Sequence, residues 1–213
     1  MRYLQIAGLI LFFCLSACSS MYYSGLEKIG VPKREVMVYR VEKARDTQEE
    51  TKQQFKSALE QFTAVTNFNG GDLQATYDKL NSEYESSVSK ADEVKTRIAD
   101  IEDVSEALFS EWETEISQYS SASLKRSSQN KLNATKVQYQ SLIKSMKKAE
   151  SKIQPILASF KDQVMYLKHN LNAQAISSLK NELSSIQLDV SKLVAEMEKS
   201  INEANAFIKT MEK

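Results

Sequence analysis

The sequence is poor in residues that break or staple a chain: two cysteines, two prolines and five glycines among 213 residues. Both cysteines, Cys14 and Cys18, stand in the first eighteen positions, so the remainder carries no thiol. A disulfide framework or a thiolate metal site is thereby excluded from the body of the chain. A single histidine, His169, cannot build a His-rich zinc site. The scarcity of turn formers argues against a many-stranded β fold and for a few long helices. An excess of one charge is also missing, with 28 basic residues against 28 acidic ones. Nothing in that balance calls for nucleic acid or an acidic substrate.

What is present begins with MRYLQIAGLILFFCLSACSS, residues 1–20. One basic residue, Arg2, precedes an apolar run from Leu4 to Leu15 broken only by Gln5, and small residues follow. That is the build of a secretory signal, too short for a comfortable membrane span. Leu15-Ser16-Ala17-Cys18 is similar to the bacterial lipobox, in which the cysteine sulfur takes a diacylglycerol before cleavage on its N-terminal side. An ordinary signal peptide with an incidental cysteine is the alternative. On the lipobox reading residues 1–17 are a lipoprotein signal peptide, and 18–32 are a tether anchored through acylated Cys18. Residues 33–213 are then the folded domain. A triacylated cysteine anchors stably where one acyl chain would not. Ser19, in place of the aspartate often seen in lipoproteins kept at the inner membrane, points to the outer membrane facing the periplasm.

The rest of the chain reads as helix. Gly25, Gly30 and Pro32 are expected to keep the tether from forming one. From Lys33 an apolar stripe runs through Val41, Ala44, Gln48, Phe55, Phe62 and Val65, stopped by Asn67-Phe-Asn-Gly-Gly-Asp72. There glycine is expected to supply the left-handed C-cap geometry, and Asp72 the next N-cap. A second stripe extends from Leu73 to Tyr119. In the third, Leu132, Thr135, Tyr139, Leu142, Met146, Ala149, Ile153, Ile156 and Phe160 alternate gaps of three and four, the heptad of a coiled coil. Pro155 lies inside that stripe in phase, so a kink is expected rather than a break. A fourth stripe runs from Ile176 to Met211. The expected fold is therefore all-α: an elongated antiparallel bundle or coiled coil of about four long helices, the third kinked at Pro155. The rival is one continuous helix from Ser123 to the C-terminus, pairing with a second subunit.

Charge patterning supports the hairpin. Residues 72–115 hold 13 acidic and 4 basic residues, and residues 121–152 hold 8 basic and 1 acidic. A turn in the serine-rich stretch Ser117–Ser123 lays the two blocks against each other. Each exposed pair is weak, but the summed field selects partner and direction. The alternative is a basic face for anionic lipid or another acidic partner.

Catalytic and cofactor motifs are missing. No GxxxxGK loop occurs, and the residue three before His169 is Tyr166, which defeats a Glu-x-x-His metal pair. The acid clusters around Glu102-Asp103 and Glu111 lack EF-hand spacing and read as solvated helix faces. Trp112 reads as a core plug. These observations argue for no catalytic residue, no metal, no cofactor and no nucleic-acid partner.

Four stretches, KIGVPKREVMVYRVEKARDTQEE (28–50), FKSALEQF (55–62), ALFSEWETEISQY (107–119) and DQVMYLKHNLNAQAI (162–176), together resemble a bacterial lipoprotein family known only as a domain of unknown function. The resemblance covers nearly the whole mature chain. It implies a helical envelope lipoprotein and transfers no site residue beyond Cys18. Within 162–176, His169 has no acid at helical spacing except Asp162 and no nucleophile beside it. That stretch reads as a helix-to-helix corner, with Asn170 in a left-handed cap and Asn172 starting the next helix. The expected function is a non-enzymatic structural or interaction module of the envelope, meeting other envelope proteins or itself. The second expectation is a binding or sensory bundle that holds a small apolar molecule.

Overall fold

A computed structural model describes residues 22–23 and 25–212, so residues 1–17 and Cys18 lie outside the described residues. Among the described residues from Lys33 onward, five helices follow in order: α1 Lys33–Thr66, α2 Leu73–Gln118, α3 Ala122–Glu150, α4 Ile153–His169 and α5 Ala173–Met211. No strand occurs among the described residues, and none of their helices is long and apolar enough to cross a membrane. At ~1.5 Å per residue, α2 is a rod of roughly 70 Å.

The ends of the helices follow local chemistry. Pro32, at φ −73° and ψ 150°, leads into α1, where its missing N–H costs nothing. Asp72, Ser121 and Asn172 each accept a bond from the backbone N–H three residues on, starting α2, α3 and α5. Between α1 and α2 the chain reverses over Gly70 (φ +139°) and Gly71 (φ +112°), backbone that a side chain at either position would strain. The glycines act in the loop and not at the cap itself, since α1 ends on Asn67 at φ −100°.

Cross-helix contacts fix the directions. Lys90 meets Glu50 at 2.5 Å while Arg40 reaches the Asp100 carbonyl at 2.6 Å, so α1 and α2 run antiparallel. Lys136–Glu113 and Lys147–Glu102, both 2.5 Å, do the same for α2 and α3: eleven residues forward on one is eleven back on the other. The acidic and basic blocks thus meet across the Ser121 turn. Helix α5 runs against α1 through Arg45–Asn205 and against α3 through Lys148–Glu196.

The core is one continuous cluster drawn from all five helices. Phe160 of α4 packs against both Phe55 and Phe62 of α1, with ring centroids 6.4 and 6.2 Å apart. Polar side chains enter this core as well. Gln48 of α1, Ser145 of α3 and Ser200 of α5 are buried with side-chain atoms that have no partner in the protein. The pairs Arg45–Asn205 and Ser141–Glu203 bring all three to about the same level of the bundle.

Three expectations change. The third rod is two helices: α3 stops at Glu150, Ser151 and Lys152 form a turn, and Pro155 occupies the first turn of α4. Pro155 lacks the N–H that would bond the Ser151 carbonyl, so the ladder parts just upstream of the ring. The continuous helix from Ser123 does not form, because α4 also ends at His169. Finally, residues 22–31 are not a free tether. Residues 22–23 and 25–28 are helical, a turn closes with Gly30 N–H donating to the Glu27 carbonyl at 2.9 Å, and Tyr23 is fully buried. A buried aromatic outweighs the glycines that the sequence reading took as breakers.

Candidate functional site

The end of the bundle where α1 begins and α5 finishes collects the most chemistry. Lys33, at the first position of α1, keeps only 8 % of its side chain exposed and is shared by two carboxylates, Glu27 at 2.5 Å and Glu111 at 2.9 Å. Burial alone would lower its pKa, but the two acids together hold the ammonium above its ordinary range. The Lys33 hydrogen bond holds Glu27 below the usual carboxylate range, while burial pushes Glu111 up. A little further along, Tyr23 donates to Asp103, and the Arg40 guanidinium stacks 5.3 Å from the Tyr23 ring centroid. Burial, then the bond to Asp103, drives the Tyr23 pKa strongly upward, so the phenol stays protonated.

Beside this network lies a cleft of about 390 Å³. Leu108 and Trp112 of α2, Ala134 of α3 and Met211 of α5 form its apolar wall, with Glu115 and Lys131 among the charged lining residues. Trp112 is half-buried and packs against the core, and its indole N–H donates to Ser128 Oγ at 2.8 Å across the α2–α3 turn. That bond fixes the ring as a wall of the cleft. Arg34 donates to the Met211 carbonyl and lines both this cleft and a shallower one of about 490 Å³ between Pro32, Val38, Tyr39 and Met211. Both volumes fall within the range of ordinary small-molecule sites, ~300–1,000 Å³. The first can take a small apolar or amphipathic molecule. Glu111, on its rim, is held by Lys33 at 2.9 Å.

The residues singled out in the sequence lie elsewhere. His169 and Asn172 are exposed at the corner between α4 and α5, at the end of α1 remote from Lys33. His169 ends α4, and Asn172 caps α5 by accepting from the Ala175 N–H at 3.0 Å. Asn170 does not take the left-handed conformation; at φ −138° it donates its amide to the Tyr166 carbonyl and its backbone N–H to Leu167. A side-chain bond back into the helix ends it without the left-handed strain. Among the described residues no group of three His, Cys, Asp or Glu side chains gathers to hold a metal. The Tyr23–Asp103–Arg40 cluster escaped sequence reading because its members are 80 and 17 residues from Tyr23 with no shared spacing. The signal available was two adjacent aromatics, Tyr22-Tyr23, in the leader.

No curated protein and no solved structure matches the chain. A family match spans residues 22–211, from the buried tyrosine leader to the last turn of α5, so the chain belongs to the family described as Protein of unknown function (DUF2959).

Proposed function

We propose that the protein is a non-enzymatic structural or interaction module of the bacterial cell envelope, held at a membrane by lipid on Cys18. Leu15-Ser16-Ala17-Cys18, directly after the apolar run, carries this reading. The outer membrane facing the periplasm is the proposed address, because Ser19 follows the cysteine. In this reading the five helices act as four antiparallel rods, with α3 and α4 as one rod bent at Pro155. The long polar outer faces then serve envelope partners or a second copy. Support comes from the committed pairing of the buried charges, which leaves rods and surfaces rather than a reacting centre. The decisive test is the intact mass of the membrane-extracted protein beside fractionation of Cys18→Ala. A diacylglyceryl and acyl increment on a chain beginning at residue 18, lost with membrane retention in the variant, supports the anchor. An unmodified cysteine sinks it. In-cell crosslinking that captures neither an envelope protein nor a second copy sinks the interaction role.

A second reading rests on the cleft walled by Leu108, Trp112, Ala134 and Met211. It makes the protein a binding or sensory module for a small apolar molecule. Quenching of Trp112 fluorescence by a titrated apolar probe, abolished by Ala134→Phe, supports it. Quenching that survives the filled cleft does not.

A further inference from the structure

The leader does not continue outward from the end of the bundle; it doubles back. Glu27 meets Lys33 and Glu111 near the end, whereas Tyr23 meets Arg40 and Asp103 further in. From residue 27 to residue 23 the chain therefore runs toward the middle of the rod, along the groove between α1 and α2. Asp103 lies fifteen residues short of the end of α2, roughly 22 Å in at ~1.5 Å per residue. Four peptide steps separate Tyr22 from Cys18, a reach of at most about 14 Å at ~3.5 Å per residue. A lipid on Cys18 thus leaves from the flank of the bundle on a very short lead.

That flank has its own composition. Tyr22 is 54 % exposed and packs edge-on against Tyr23 at 5.2 Å. Tyr39, the residue before Arg40, is 57 % exposed with Lys43 Nζ 5.6 Å from its ring centroid, and Ile29 at the reversal is 75 % exposed. Exposed Lys28 stands next to Ile29. Tyrosines with lysines beside them suit the headgroup level of a bilayer, where the ring is half apolar and the ammonium snorkels to water. Glu35 and Glu42 near Tyr39 offset the lysines, so contact would come from rings and alkyl surface and not from net charge.

We propose that the Tyr22–Ile29–Tyr39 flank is a membrane-resting surface, and that the Tyr23 clamp holds the bundle side-on against the bilayer carrying its own anchor. This rests on the lipidated Cys18 reading above. The test uses the full, processed chain with a nitroxide on Tyr39→Cys, and on Leu188→Cys as a remote exposed control. Each is reconstituted in vesicles of phosphatidylethanolamine with phosphatidylglycerol, and of phosphatidylcholine alone. Expected is a several-fold higher ratio of oxygen to water-soluble nickel accessibility at residue 39 than at residue 188, the same in both vesicle types. Adding Tyr23→Phe, which removes the bond to Asp103, is expected to lower that ratio toward the control. If residue 39 is as water-accessible as residue 188 while the protein stays with the vesicles, the side-on surface is overturned and the anchor stands. If residue 39 is shielded from both quenchers, a second copy of the chain covers the flank and the proposal is equally overturned. If the protein does not associate with vesicles and carries no acyl mass, the anchor reading itself has failed, and this inference with it.

Discussion

The two halves of the bundle are held by different forces. Toward the start of α1, ion pairs are drawn between segments and partly inside: Lys33 with Glu27 and Glu111, Arg40 with Asp103. Toward the α4–α5 corner, no described residue of α4 takes part in an ion pair, and the helix is fixed by Phe160, Val164 and Leu167 with Asn172 capping beyond it. The first half adds pairs sensitive to protonation and salt to the shared apolar core; the second depends on apolar burial, with Asn172 capping α5. The exposed flank proposed as a membrane surface lies in the first half, where the chain has spent buried charge to pin its own leader.

The largest effect should come from the apolar half. Phe160→Ala removes a ring in contact with Phe55 and Phe62 and is expected to cost about 3–5 kcal/mol, read by urea denaturation. A loss below that of a surface variant would mean that the far half is not organised around this trio. Next is the near half: Lys33→Met leaves part-exposed Glu27 and Glu111 facing each other, for about 1–2 kcal/mol after allowance for solvent screening. Gln48→Leu, between the halves, should do the opposite. It removes a buried amide without a protein partner and is expected to stabilise the fold by about 1 kcal/mol, read as a higher urea midpoint. At the corner, Asn172→Ala should cost about 1 kcal/mol, with faster amide exchange confined to the first turn of α5.

Acid sharpens the same contrast. Glu27 is held below the ordinary carboxylate range by Lys33, so its stabilisation is full above that range and fades as pH falls through the lowered value. Glu111 is pushed up by burial, so its contribution has the opposite sign: it favours the folded state below its raised value and is lost as pH rises through it. Melting temperatures taken at neutral pH and through the acid range should therefore drop less steeply in Glu27→Gln than in the parent. In Glu111→Gln they should drop more steeply. Identical slopes for both variants would break the assignment. The smallest effect is on the surface: Lys147→Ala, at the exposed pair with Glu102, should change stability by only a few tenths of a kcal/mol.

Much of the fold was legible because helical stripes and caps are local signals. Asp72 announced the start of α2, and the opposed charge blocks around Ser121 announced the α2–α3 hairpin. Apolar Ile201 falls in the α5 stripe, yet it is only half-buried while polar Ser200 beside it is fully buried, and Phe207 joins Ile208 in the core. Such a difference depends on neighbouring rods and has no trace in the spacing of α5 alone. The cleft was equally hidden: its walls come from α1, α2, α3 and the last residues of α5, more than a hundred positions apart. Trp112 packs on the core as its sequence context suggests, but that it also walls a cleft depends on Ser128 across the turn.

By itself the sequence determined the helical class, the caps and the charge complementarity of α2 and α3, because each arises from residues within a few turns of one another. Tertiary structure alone decided that the rod interrupts upstream of Pro155, that Gln48, Ser145 and Ser200 share one level of the core, and that the leader folds back. The last is the clearest case. Gly25 and Gly30 raise the cost of ordering the leader, and burying Tyr23 between Arg40 and Asp103, together with the Glu27–Lys33 pair, offsets it.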